Sequence, residues 1–140
     1  MPLPDHLTLE IVTPTGAVVS DRVDEVQVPG GEGSFGVLPG HTPLLATLQV
    51  GELWYRRGQE ISYVAVLLGF AEVQPDRVTI LAQMAESAED IDVTRAEAAE
   101  KRAKDRLRLP TINLDFERAR LAMLKSLMRL KVASRVRNRG

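Results

Sequence analysis

Few residues in this chain have the chemistry of a catalyst. There is no cysteine, which removes disulfides, thiol nucleophiles and thiolate metal sites together. His6 and His41 are the only histidines, too few for a histidine cage around a metal. No Ser-His-Asp set or pair of catalytic carboxylates stands out, which argues against a free-standing enzyme. The densest run of special residues is Val28-Pro29-Gly30-Gly31-Glu32-Gly33-Ser34-Phe35-Gly36-Val37-Leu38-Pro39-Gly40-His41-Thr42-Pro43. Its glycines permit positive φ and tight turns, and Pro39 and Pro43 stiffen the flanking backbone. It is a poor phosphate loop, because the Gly-Lys-Ser/Thr ending is missing and no helical pattern follows. His41 has no nucleophile or carboxylate beside it, so it reads as a hydrogen-bonding loop residue rather than a general base. The other candidates are cations. Arg95 and Arg102 stand seven apart and Lys125 and Arg129 four apart, spacings that put each pair on one face of a helix.

The elements that must position these residues fall into two parts. To about residue 85 the chain reads as all-β. Leu7, Leu9 and Ile11 alternate with Thr8, Glu10 and Val12. Pro14-Thr15-Gly16 turns the chain, and Val26 and Val28 point one way before Pro29-Gly30-Gly31 ends their strand. The run from Ile61 to Leu68 is apolar on both faces, which predicts a central strand. Gln74-Pro75-Asp76-Arg77 predicts a hairpin turn, and Gly51, Gly58 and Gly69 punctuate the other strands. About ten short strands at this spacing imply a sandwich or flattened barrel over residues 1–87.

Residues 88–140 have a different pattern. From Ile91 to Leu109 there is no glycine or proline, and Val93, Ala96, Ala99, Ala103 and Leu107 recur on one helical face. Asp90 is the candidate N-cap, and Pro110 ends the helix. After a turn at Thr111-Ile112-Asn113, a second helix carries two apolar stripes. One is Phe116, Ala119, Met123, Leu127 and Leu130; the other is Leu114, Leu121, Leu124, Met128 and Val132. The fold class is therefore α+β: a β-sandwich followed by an antiparallel two-helix hairpin whose last residues, 137–140, fray.

Charge divides along the same line. Net charge is −1, yet residues 1–90 hold 13 acids and four bases, whereas residues 111–140 hold two acids and eight bases. An acidic front and a basic tail suggest different partners for the two parts. The N-terminus lacks a basic region followed by an apolar run, and no stretch approaches the ~18 apolar residues of a spanning helix. The chain reads as cytosolic, with any membrane role reached through a partner.

The segment from Val28 to Pro43 resembles the signature loop-strand-loop of F-type ATP synthase epsilon subunits. Gly69-Phe70-Ala71-Glu72-Val73 looks like that family's central strand, and Val78-Thr79-Ile80-Leu81-Ala82 like its last strand. The resemblance covers about residues 5–135. It implies a non-catalytic rotor subunit of a bacterial ATP synthase. The sandwich would sit at the foot of the central stalk against the gamma subunit and the c-ring, coupling proton-driven rotation to ATP synthesis at the cytoplasmic face of the membrane. One copy per complex is implied, with no homo-oligomer, no nucleic acid and no membrane insertion. Candidate partner contacts are Gly33, Phe35, Pro39, Gly40 and His41 in the sandwich and Arg118 and Arg120 in the second helix.

The resemblance also implies regulation by the hairpin. Ile91-Asp92-Val93-Thr94-Arg95-Ala96 matches the Ile-Asp-x-x-Arg-Ala motif found where certain bacterial epsilon subunits bind ATP. Glu86 and Arg102 fall on further family positions. Arg129 retains a family arginine, whereas Lys125 stands where the best ATP binders have arginine, keeping the charge but losing the planar fork. ATP, with or without magnesium, is thus a candidate regulatory ligand of Glu86, Ile91, Asp92, Arg95, Ala96, Arg102, Lys125 and Arg129; no cofactor is required. The plain alternative is solvated charges in weak pairs worth ~0.3–0.5 kcal/mol each. The hairpin is further implied to rise along gamma, meet the beta and alpha subunits, and block ATP hydrolysis. Three rival readings are a nucleic-acid binder, a free-standing enzyme and a basic-helix protein adaptor. Phe116 is the basic helix's one aromatic and the pI is about 6.1, both unfavourable to the first.

Overall fold

The computed structural model describes residues 3–108 and 113–137. The chain divides into two compact units, Met1–Ser87 and Ala88–Gly140.

Among the described residues the first unit holds eight strands: β1 (Leu7–Thr13), β2 (Gly16–Val23), β3 (Glu25–Gly30), β4 (Gly33–Val37), β5 (Leu44–Leu48), β6 (Gly51–Arg57), β7 (Glu60–Gln74) and β8 (Arg77–Ser87). The ladder runs β2-β1-β8-β7-β5-β3-β4, and β6 pairs with both β3 and β7. All pairs are antiparallel except β1 with β8. β7 is the hinge of the sandwich. Its first half pairs with β6 and with the end of β8, and its second half, from Gly69, pairs with β5 and the start of β8. Between the halves Leu68 has φ 46°, and Gly69 has φ 148°. A Cβ on Gly69 would stand 1.9 Å from the Leu81 carbonyl oxygen, so no larger residue fits this bend.

The core is what alternation dictates. Leu7, Leu9, Ile11, Val26, Val28, Val37, Leu53, Val64 and Ile80 are fully buried. The expected central strand is β7, and the turn at Pro75-Asp76 joins it to β8. One strand boundary differs from the sequence reading. Gly69 bends one long strand instead of separating two, which helps explain why there are eight strands where the glycine spacing suggested about ten. The Pro29-Gly30-Gly31 run ends β3 as expected, at Gly30, with Pro29 and Gly30 inside the ladder. Both still pair with β4, and the Pro29 carbonyl accepts the Gln49 amide (3.1 Å), so the missing proline N–H breaks nothing. Where β2, β3 and β6 meet, Arg57 pairs with Asp21 (2.7 Å) and Arg56 with Glu25 (3.1 Å).

The second unit begins with a 3-10 turn, Ala88–Asp90, followed by α1 (Val93–Arg108) and α2 (Asn113–Arg137). α2 packs on α1 and also touches the turn at the far end of α1, so the helices are antiparallel. Pro110, Thr111 and Ile112 of the expected helix stop and turn, and the chain's last three residues, lie outside the described residues, while Asn113, expected in the turn, opens α2. The N-cap is Asp92 and not Asp90. The Asp92 carboxylate accepts the Arg95 amide (3.0 Å), while Asp90 is spent in the preceding turn. Apart from Val132, the most covered positions of the two helices are small and recur every seven residues: Ala96 and Ala103 on α1, Ala119, Ser126 and Ala133 on α2. Small side chains let two backbones approach closely. The larger members of the two apolar stripes divide: Val132 is buried, whereas Phe116, Leu121, Leu124 and Leu127 are exposed. Among the described residues no helix is long and apolar enough to cross a membrane.

Candidate functional site

Two surfaces carry candidate residues, one in each unit. In the helical unit, the start of α1 gathers Ile91, Asp92, Arg95 and Ala96. Ile91 is buried, and its amide bonds to the Ala88 carbonyl. Asp92 caps through its carboxylate, and its carbonyl accepts the Ala96 amide (3.0 Å). Ala96 is fully covered. Three of the four defined residues in the Ile-Asp-x-x-Arg-Ala motif thus have folding duties: anchor, cap and close contact. Only the Arg95 side chain is left over for other work. It is exposed, as is Arg102 two turns on, and among the described residues neither has an ion-pair partner. Lys125 and Arg129 lie on adjacent turns of α2, flanking buried Ser126, and are half-buried. Glu86 belongs to the other unit, on β8 opposite Ala65. Arg118 and Arg120 are exposed on α2, and Arg120 reaches Glu117 at 3.4 Å.

In the sandwich, the glycine-rich segment forms the β3–β4 hairpin and the turn after β4. Gly33 sits at the hairpin with φ 129° and open space about it. Phe35 packs against the core and lies over Gly30. Beyond β4, the Gly40 amide bonds to the Pro75 carbonyl (2.7 Å), tying this turn to the β7–β8 hairpin. The His41 ring donates from Nδ1 to the Thr42 carbonyl (2.6 Å), a loop-fixing bond. Pro39, Gly40 and His41 are all half-buried.

Sequence reasoning missed the outer face of the β1-β8-β7-β5 layer. Cross-strand pairing lines up Val12, Leu81, Phe70 and Thr47 in one row and Glu10, Thr79, Glu72 and Leu45 in the next. Leu45 is 70% exposed, Phe70 53% and Leu81 52%. Leu38 and Leu44 are also exposed. At the edge of this strip Pro43, Leu44, Leu45, Glu72, Val73 and Gln74 line a shallow groove of about 350 Å³. The signal was available in outline. With Ala71 and Val73 facing the core, a period of two sends Phe70 outward. A cluster of large apolar side chains left in water on an otherwise charged domain is a candidate interaction surface.

Comparison with known proteins fits this two-part build. The family model described as "ATP synthase, Delta/Epsilon chain, beta-sandwich domain" matches residues 6–88, and "ATP synthase, Delta/Epsilon chain, long alpha-helix domain" matches residues 89–134. The chain belongs to the ATP synthase delta/epsilon chain family. Among its relatives in that family, the ATP synthase epsilon chain of Syntrophobacter fumaroxidans is 53% identical over 131 residues, which are 94% of this chain and 98% of that one. The ATP synthase epsilon chain of Halalkalibacterium halodurans is 47% identical over 130 residues, 92% of this chain and 98% of that one. A chain in the cryo-EM structure of Euglena gracilis mitochondrial ATP synthase, OSCP/F1/c-ring in rotational state 1, shares the fold. Its TM-score is 0.80 at 22% identity, covering 91% of this chain and 81% of that chain.

Proposed function

We propose that this chain is the epsilon-type subunit of a bacterial ATP synthase, a non-catalytic part of the central stalk. Its sandwich docks on the shaft subunit, gamma, and stands on the c-ring, at the cytoplasmic face of the membrane. The observation that carries the docking is the strip of Leu45, Phe70 and Leu81. Three large apolar side chains stay in water on the free chain and would be covered in the assembly. The turn of Pro39, Gly40 and His41, braced on the β7–β8 hairpin, suits a rigid foot for the c-ring contact. Rigidity matters because a rotor piece transmits torque.

The helical unit supports a regulatory reading. Its seam is made of small residues, and Phe116, Leu121, Leu124 and Leu127 remain exposed beside Arg118 and Arg120. Such a pair of helices can be reburied on gamma and the beta and alpha subunits at little loss of internal packing, blocking hydrolysis. Co-purification tests the docking. The tagged chain retrieves alpha, beta and gamma subunits with one copy of itself per complex, and Phe70→Asp lowers the yield at least about tenfold by burying a charge in an apolar contact. Equal retrieval by wild type and Phe70→Asp would remove this surface from the interface.

A second reading concerns ATP as a regulatory ligand of the helical unit. Lys104 and Arg120 are paired with Glu100 and Glu117, whereas Arg95 and Arg102 keep open guanidinium groups on one side of α1. Those two groups suit a polyphosphate. Calorimetry of ATP with the whole chain should show binding that Arg95→Ala weakens about tenfold or more. Identical titrations would end this reading and leave the docking role untouched.

A further inference from the structure

We infer that the outer strip of the sandwich is read by a long cationic side chain of its partner, an arginine for preference, laid in the groove beside Leu44 and Leu45 with its charge on Glu72. This deepens the docking reading above and rests on it. The first observation is the position of Glu72. It faces outward on β7, opposite Leu45 on β5, and follows exposed Phe70 by two residues on the same face. Any partner that covers Leu45 and Phe70 also covers this carboxylate.

The second observation is what Glu72 lacks. Three of the sandwich's four arginines are committed to other carboxylates: Arg56 to Glu25 and Asp24, Arg57 to Asp21, and Arg77 to Glu10. Arg77 is the decisive one, because it projects from the same outer face as Glu72, on the neighbouring strand. Its Nη1 goes the other way, to the Glu10 carboxylate on β1, at 2.6 Å. Among the described residues Glu72 makes no hydrogen bond or ion pair. A carboxylate taken out of water without a counter-charge is strongly unfavourable, so an apolar partner alone is a poor match for this surface. The third observation is the groove. Its walls are Pro43, Leu44 and Leu45 on one side and Glu72, Val73 and Gln74 on the other. Apolar walls with one acid suit an aliphatic stem that ends in a cation. Arginine fits better than lysine because its planar fork matches both carboxylate oxygens and loses less hydration. Glu72 then selects among apolar partners, rejecting any that leaves it unmatched.

The test is rebinding of the full-length chain to ATP synthase stripped of this subunit, at several salt concentrations. Thermal melts of the free variants serve as folding controls, since Glu72 supports nothing inside the free chain. Glu72→Gln should weaken binding about ten- to hundredfold and flatten its salt dependence; Glu72→Lys should weaken it further. Unchanged affinity and salt slope in Glu72→Gln, with binding lost in Phe70→Asp, would overturn the cationic contact and leave the docking face standing. Weaker binding with an unchanged salt slope would mean a neutral donor and would also overturn it. If Phe70→Asp binds as wild type does, the docking reading itself fails and this inference falls with it.

Discussion

The two units of this molecule solve the burial problem in different ways. In the sandwich, large β-branched and leucine side chains disappear completely, and distant parts of the sequence hold one another, as β1 does with β8. In the helical unit the most covered residues are mostly alanines, and four large apolar side chains of α2 stay exposed. An alanine seam releases little apolar area from water, roughly 25 cal/mol for each Å². Both units leave large apolar side chains in water, but the sandwich buries many large ones and the helical unit few, so the difference teaches which unit is held by a deep core and which by a thin seam.

The sharpest way to break this comparison is to cut the core of the sandwich. Ile80→Ala removes a fully buried side chain from β8, where the sheet pairs on both sides. It should cost about 2–5 kcal/mol in urea unfolding. If it costs less than about 1 kcal/mol, the sandwich is not the deeply packed unit.

The next effect is local. Asp92→Ala deletes the cap of α1 and should cost about 1 kcal/mol, read as faster amide exchange at Arg95 and Ala96. Asp90→Ala should fall within about 0.5 kcal/mol of wild type, because Asp90 caps nothing there. Reversed magnitudes would restore the cap to Asp90.

Asp90 and Asp92 also mark the limit of what was legible in the sequence. Both are acids two residues apart ahead of a helical run, and local propensity favours neither. What decides is that Ile91 is drawn into the interior, so the 3-10 turn closes at Asp90 and the helix starts after Asp92. Gly69 misled for a similar reason. Glycine inside a strand pattern signals either a break or a bend, and the close approach of the Leu81 carbonyl, a contact 12 residues away, made it a bend. The alternation of Leu7, Leu9 and Ile11 needed no such information, because a half-buried strand writes its faces directly into the chain. The candidate site was legible in part. Helical spacing placed Arg95 with Arg102 and Lys125 with Arg129. Which of them end exposed and which half-covered depends on how α2 packs on α1, which spacing does not encode. The outer strip was harder still, because Phe70 lies in a run that looks like core until β5 and β8 are paired beside it.

The smallest expected effect sharpens the comparison most finely. Leu124 is 42% exposed on α2, with exposed Leu121 and Leu127 one turn before and after it. In a helix built around its apolar face, Leu→Ser would cost a few kcal/mol. Here Leu124→Ser should change the unfolding free energy of the free chain by no more than about 0.5 kcal/mol, since the side chain already meets water. The same substitution should still weaken a state in which α2 lies against a partner, because there the leucine would be covered. Stability measured on the free chain and inhibition of hydrolysis measured in the assembly would then separate: the first barely moves while the second falls. A large loss in the free chain would instead mean that Leu124 is covered in solution. The contrast between a deeply packed sandwich and a thinly packed helix pair would lose its main support.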